Sequence, residues 1–493
     1  MPDETTHTIG AGPYRQLIGG EWVDGGKGTY KIINPATEEV VGEAPEASVD
    51  DIEAATAAAK AAQPGWAALG PDKRSALLQR VAGELKARSR DFVDLVIAET
   101  GATKMVGSTM QVPQAGARFE YYAKAALAPI DVPLPPQPMP NTALAPGGLI
   151  GAVVHRAPVG VVAAITSYNF PAVNMAGKLA PALAAGNAVV VKPAPQDPLA
   201  CIEILKICND VGIPEGVVNI VTGSGAEAGA ALVASPNVDM VSFTGSSNVG
   251  VAIQTECAKS FKRTLMELGG KGACIVREDA DVKAAVTGLA SVWGFHSGQI
   301  CTAPTRAIVH RSRYDEIVAA LTGASARMTV GDPREKTTVV GPVISEAHRA
   351  RVEAQLQQGL DQGAEVLVGG KRPDIERGYY VAPTLVATDN QNVAAREEFF
   401  APIIVVIPFD DDEEGIAIAN DSPYGLYDYV YTDDMAKGYA IAKRLEAGNV
   451  GINTAQRNHE APFGGFKMSG IGRDGGMFGV HAYTEMQSIV WPS

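Results

Sequence analysis

Short β-branched apolar runs alternate with longer stretches of helical periodicity from Gly160 onward. The runs are GVVAAIT (160–166), AVVVKPA (188–194), VVNIV (217–221) and MVSFT (240–244). Helical stretches lie between and after them, at about 171–185, 197–211, 225–235 and 246–259. This rhythm predicts a parallel sheet assembled from βαβ units, with ligands bound beyond the carboxyl ends of its strands. SYNFP, KPAPQ and FTGSSNVG follow the first, second and fourth strands and so occupy that position. Upstream, Ser48 and Asp51 stand at capping-box spacing and open an alanine-rich helix over 48–69, expected to break near Pro64-Gly65. A second helical stretch covers about 71–99. Seven prolines between Pro129 and Pro146 exclude helix interior and central strand, and predict a linker or an extended arm. After residue 260 further alternating elements predict a second α/β domain. The tail AYTEMQSIVWPS (482–493) has strand character and no obvious partner nearby.

Composition narrows the class. At 493 residues the chain exceeds what one hydrophobic core usually supports, and its 46% hydrophobic and 19% charged residues suit a well-buried protein. A net charge of −14 argues against nucleic acid or an anionic membrane as partner. Five cysteines without CxxC spacing fit neither a disulfide framework nor a zinc ribbon, and the histidines do not cluster at ligand spacing, so no metal is expected. No basic n-region or apolar h-region opens the chain, and no apolar run approaches the roughly 18 residues of a membrane span. A cytoplasmic protein is the expectation.

Three residues stand out for their chemistry. Cys301, in the small-residue turn GQIC, reads as a nucleophile or as a packing cysteine. Glu267 in MELGGK is a carboxylate in an apolar stretch ahead of a Gly-Gly turn, where desolvation would raise it into the range of a general base; a helix cap or salt bridge is the other reading. Asn169 in SYNFP suits an oxyanion-hole donor or a simple Asx turn. GSGAEAG (223–229), with Gly225 and Gly229, is a dinucleotide-like glycine pattern or a plain tight turn. In FTGSSNVG, Phe243 closes a strand and Ser246 can cap a helix whose amides would bind phosphate. Lys192 places a charge at the end of a buried strand.

Together these motifs resemble the aldehyde dehydrogenase superfamily along nearly the whole chain. SYNFP, KPAPQ, FTGSSNVG, MELGGK, GQICTAPTR, EEFFAPI, NDSPYGL, GNVGIN and PFGGFKMSGIGRDGG occur in the family's order. The resemblance implies an α/β fold with a Rossmann-type cofactor domain (1–124 and 148–257), an α/β catalytic domain (258–477) and a small β oligomerisation arm (125–147 and 478–493). It implies a homodimer or homotetramer, an aldehyde as substrate and NAD or NADP as cofactor. It also implies a thiohemiacetal and thioester on Cys301, an oxyanion held by Asn169, and hydrolysis by water that Glu267 activates. Lys178 and Asp474 match a proton relay behind that glutamate, with Asp474 one methylene shorter than the usual residue.

By the same resemblance Thr166, Ser167, Lys192, Pro195, Gly225, Gly229, Phe243, Ser246, Leu268, Glu398 and Phe400 contact the cofactor. Tyr121, Tyr168, Phe170, Gly177, Ile300, Arg457 and Phe463 line the substrate tunnel. Gly177 implies a wider tunnel, and Arg457 with His459 a polar or anionic substrate. NAD-preferring relatives carry a glutamate where this chain has Pro195, which can neither bind ribose hydroxyls nor repel a 2′-phosphate, so NADP is expected to be tolerated. A relative that passes the acyl group to coenzyme A is the alternative enzyme, against which Glu267 stands. A catalytically silent binding relative is the alternative from another class.

Overall fold

The computed structural model describes residues 9–10 and 12–492. Its first sheet runs, in spatial order, Gly470–Ile471, Arg263–Glu267, Met240–Thr244, Val161–Ile165, Ala188–Lys192, Val218–Ile220, Gln16–Ile18 and Glu21–Val23. The inner five strands are parallel and the outer ones antiparallel. Both faces are covered, which explains the uninterrupted apolar runs. Val162, Ala164, Val189 and Val191 enter one core cluster, while Val161, Ala163, Ala188 and Val190 enter the other. The chain order reverses between Val161–Ile165 and Met240–Thr244, so a crevice opens at their carboxyl ends.

A second sheet is ordered Glu365–Val368, Thr384–Ala387, Ile403–Phe409, Arg306–His310, Ala273–Val276, Tyr427–Tyr431 and Asn449–Ile452. It is parallel except at Glu365–Val368. Only residues 268–272 separate the last inner strand of the first sheet from Ala273–Val276 in the second. Glu267 therefore stands at the junction of the two sheets.

Three expectations change. The helix Val49–Ala68 runs through Pro64 without a break, its N-terminus fixed by the Ser48–Asp51 capping box. A proline removes one backbone bond and crowds one carbonyl, a local cost that the buried face of Ile52, Ala55, Ala59 and Trp66 outweighs. The stretch 71–99 is two helices, Pro71–Arg88 and Val93–Thr100. The strand-like tail also has a partner within the chain. Thr484–Pro492 pairs antiparallel with Gly148–Pro158, which pairs in turn with the proline-rich strand Val132–Met139. Residues 148–158, expected with the cofactor sheet, thus belong to this three-stranded sheet. The prolines are accommodated on its outer strand, with a register shift between Leu134 and Gln137, because an edge strand has ladder positions needing no donor.

Candidate active site

Three loops meet at the junction of the sheets. Glu267 closes the strand Arg263–Glu267 and is followed by Gly269 and Gly270. A Cβ at Gly270 would stand 2.5 Å from the Cys301 carbonyl oxygen, and one at Gly269 2.5 Å from the Glu398 Oε2. A Cβ at Gly298, in the cysteine turn, would collide with the carbonyl of Ala401, just beyond Glu398 and Phe400. Glycine at these positions lets the general-base, cysteine and EEFFAPI segments touch backbone to backbone.

The cysteine turn is held from several sides. His296 and Ser297 have positive φ of 47° and 57°, an unusual pair for non-glycine residues. The Ser297 hydroxyl donates to Gly341 O (2.8 Å), and Gln299 Oε1 accepts from the Ile344 amide (3.0 Å). The Asn169 Nδ2 donates to Gln299 O at 2.8 Å, two residues before Cys301. Its Oδ1 accepts from the Ser167 hydroxyl (2.9 Å) and from Asn174 Nδ2 (3.2 Å), so the network orients the amide with its NH2 toward the cysteine. Gln111 Nε2 adds a bond to Asn169 O (3.2 Å).

Cys301 is half-buried, while the other four cysteines are buried. Burial pushes its thiol up to about 12, with the carboxylates of Glu398 and Glu267 adding to the shift and Arg457 opposing it. Glu267 is buried, and neither carboxylate oxygen has a hydrogen-bond partner among the described residues. Desolvation raises it well above the usual range; Asp474 adds to this, and Lys178, Arg457 and Arg473 oppose it. The buried Lys178 ammonium donates to Ser242 Oγ (3.2 Å), which is 2.9 Å from the Tyr483 hydroxyl. No hydrogen bond joins Asp474 to Lys178 or Glu267 among the described residues; Asp474 Oδ1 accepts instead from the Gly475 amide at 2.6 Å. Asp474 acts on the glutamate through its field alone.

The crevice of the first sheet gathers the other predicted residues. Thr166 follows the strand Val161–Ile165, and its buried hydroxyl lacks a partner among the described residues. Lys192 ends the strand Ala188–Lys192; burial lowers its ammonium to about 8, and Glu46 counteracts this. Gly229 faces its stem, since a Cβ there would lie 3.6 Å from Lys192 Cδ, whereas Gly225 faces open space. Of that glycine run it is Gly223, not Gly225, that close packing demands: a Cβ there would meet Ala228 at 2.9 Å. Ser246 caps the helix Ser247–Ala258 through the Val249 amide (3.5 Å), Leu268 lies over Gly250 in its first turn, and the Phe243 ring covers Gly245. Pro195 is half-buried. Glu398 Oε1 accepts from the Gly270 amide (2.9 Å), and burial lifts its carboxyl to about 7. Phe400, at φ 55°, meets the Tyr168 ring edge-on at 5.8 Å.

With this geometry in view, relatives are informative. The chain matches the model of the aldehyde dehydrogenase family over residues 22–489. It belongs to the aldehyde dehydrogenase family. This aldehyde dehydrogenase is 36% identical to a phenylacetaldehyde dehydrogenase from Pseudomonas fluorescens, over 97% of its own length and 96% of the relative's. It is 38% identical to a geranial dehydrogenase from Castellaniella defragrans, over 96% and 98%. Its fold matches a betaine aldehyde dehydrogenase from Staphylococcus aureus solved with NAD+, with a TM-score of 0.93 at 33% identity, covering 97% and 95% of the two chains.

Sequence reasoning missed several residues of this family member. His348 and Arg351, on the helix Glu346–Asp361, bond to Phe400 O (2.8 Å), Phe399 O (2.9 Å) and Glu398 O (3.2 Å), holding that loop. No local motif marks them, because they act through backbone carbonyls of a remote loop. No motif marks Glu46 either: its carboxylate accepts from the Ser224 amide at 3.0 Å. Arg118, on the helix Val112–Ala125, fills the space beside Gly177, where a Cβ would come within 2.9 Å of its Nη1. The glycine does not widen the tunnel as expected, because the guanidinium takes the vacated volume.

Proposed function

We propose that the chain oxidises an aldehyde to the carboxylic acid with NAD+ or NADP+, through a thioester on Cys301 that water hydrolyses under Glu267. The observation that carries this reading is the meeting of Cys301, Glu267 and Asn169 at one junction, with Glu267 buried and its carboxylate oxygens unpartnered among the described residues. The overall change is RCHO + NAD(P)+ + H2O giving RCOO−, NAD(P)H and two protons.

The raised thiol calls for a base; of the two carboxylates whose fields reach it, Glu398 is bonded to the Gly270 amide, while Glu267 is unpartnered among the described residues. Glu267 takes the thiol proton, sulfur bonds to the carbonyl carbon, and the oxyanion lies toward the Asn169 Nδ2 and the Cys301 amide. A nicotinamide held by Glu398 and Phe400 would supply the acceptor for the hydride that leaves this carbon. A thioester remains on Cys301. Glu267, its proton lost to solvent, then draws a proton from water; the hydroxyl bonds to the acyl carbon, the C–S bond breaks and the thiolate departs.

The crevice fits a dinucleotide: the orphaned Thr166 hydroxyl lies beside Ser167, and Lys192 offers its ammonium to a ribose. The Ser246-capped helix end suits the diphosphate, with Phe243 and Leu268 beside it. Glu398 and Phe400 would hold the nicotinamide end. The substrate side is formed by Tyr168, Phe170, Ile300, Arg457 and Phe463.

Glu267→Gln tests the reading. It should give a burst of NAD(P)H near one per active site, followed by a slow steady state, whereas wild-type turnover should not be accelerated by coenzyme A. Equal loss of both phases would remove Glu267 from deacylation.

A further inference from the structure

Two arginines face the substrate side of this site, and neither has an anionic partner. Arg118 lies against Gly177 on the helix Pro171–Ala184, whose preceding residues include Asn169. Arg457 lays its guanidinium on the Phe463 ring, 3.7 Å from the centroid. Among the described residues neither guanidinium makes a hydrogen bond or an ion pair. Yet they feel one another: desolvation and then the charge of Arg118 lower Arg457, whose own charge reaches the Cys301 thiol.

The anionic groups nearby, Asp474 and Glu267 among them, reach Arg457 through their fields, but none forms an ion pair with either arginine among the described residues. Asp474 Oδ2 lies 3.6 Å from where a Gly177 Cβ would stand, but Asp474 forms an ion pair with neither arginine among the described residues, and its Oδ1 accepts from the Gly475 amide. Glu460 acts on Tyr121, and Glu267 is engaged at the reacting centre. Arg457 is exposed and Arg118 half-buried, so the two like charges are hydrated in the free protein; an anion placed between them gains charge-assisted bonds to both. Guanidinium groups are the side chains best shaped for a carboxylate, which they take in bidentate fashion. In a chain of net charge −14 a local cationic mouth is also what draws an anion inward.

We propose that Arg118 and Arg457 form a carboxylate clamp, and that the preferred substrate is an aldehyde bearing a carboxylate at its far end. This rests on the aldehyde-oxidising reading above. Arg457 acts on the thiol and Arg118 sits over Gly177, so the clamped carboxylate would point away from Cys301 while the aldehyde carbon meets the sulfur. Ester or amide analogues of the same shape lose the charge-assisted bonds and leave both arginines uncompensated.

The test compares kcat/KM, with NAD+, for 4-oxobutanoate against its methyl ester and for 4-formylbenzoate against its methyl ester. Wild type should favour the acid at least tenfold in one pair. Arg118→Gln and Arg457→Gln should each lower that acid-over-ester ratio tenfold or more, through the KM of the acid, and Arg118→Lys should restore part of it. Gly177→Ala, by displacing the Arg118 guanidinium, should move the ratio the same way. Equal use of acid and ester in both pairs overturns the clamp, as does a loss that leaves the ratio unchanged in both glutamine variants; either leaves aldehyde oxidation standing. If no aldehyde is oxidised, the proposed reaction fails and thermal shift decides the clamp. Succinate or terephthalate should then raise the Tm of wild type but not of Arg118→Gln, and no difference between them overturns it.

Discussion

At Cys301 the free protein holds a thiol, not a thiolate. Burial and the neighbouring carboxylates push it up to about 12, so below that pH the thiolate fraction rises about tenfold per unit. Alkylation of Cys301 by iodoacetamide should therefore climb steadily from pH 7 to pH 10 without a plateau; a plateau below pH 8 would mean a pre-formed thiolate. Cys301→Ala should abolish dehydrogenase turnover while NAD+ binding, followed by fluorescence titration, remains measurable. Turnover within tenfold of wild type would remove the covalent mechanism. Glu46 brings a carboxylate to the neighbourhood of Lys192, on which it acts, and is anchored by the Ser224 amide, so cofactor choice is expected to depend on Glu46 as well as on Pro195. A fixed anion there disfavours a 2′-phosphate by a few kcal/mol at most. Glu46→Gln should shift the NAD/NADP ratio of kcat/KM toward NADP by roughly tenfold, about 1.4 kcal/mol. An unchanged ratio would return the question to other residues.

At the scale of elements, the site depends on loops that touch without side chains between them. Gly270 illustrates this. Its added Cβ would stand 2.5 Å from a backbone oxygen of the cysteine turn, and neither backbone is free to give. Gly270→Ala should lower stability by ~1–3 kcal/mol, read as a fall in Tm, and reduce kcat by more than tenfold through displacement of Cys301. A variant with normal Tm and normal kcat would show that the loops have slack. The helix Glu346–Asp361 fixes the other side, with His348 and Arg351 gripping three consecutive carbonyls of the Glu398–Phe400 loop. These contacts join segments that are distant in sequence, which is why periodicity and motif spacing gave no sign of them.

At the scale of the molecule, the three-stranded sheet stands apart from the two large ones. Leu134, Met139, Leu149, Met486, Ile489, Val490 and Trp491 are exposed on it. Apolar area of this kind on an otherwise polar surface is expected to be covered by a second copy of the chain. Deleting residues 484–492 would strip Gly148–Pro158 of one neighbour and leave an open strand edge. The intact protein should scatter light as a dimer or tetramer, and the truncated one as a monomer or an aggregate. Unchanged assembly after truncation would place the interface elsewhere.

The alternation of β-branched runs with helical stretches determined the parallel sheet, because strands buried on both faces must be apolar throughout. The order of short motifs determined the family and singled out Cys301, Glu267 and Asn169, whose segments the fold brings to one junction. Tertiary structure alone decided the rest. Whether Pro64 breaks its helix depends on what the opposite face buries, and the partner of the C-terminal strand lies more than three hundred residues upstream. The small residue at Gly177 reads as empty space in a sequence, but the volume belongs to whichever side chain reaches it, and in the fold that is Arg118. Burial, counter-charges and volume are properties of the packed arrangement, and no local stretch of sequence contains them.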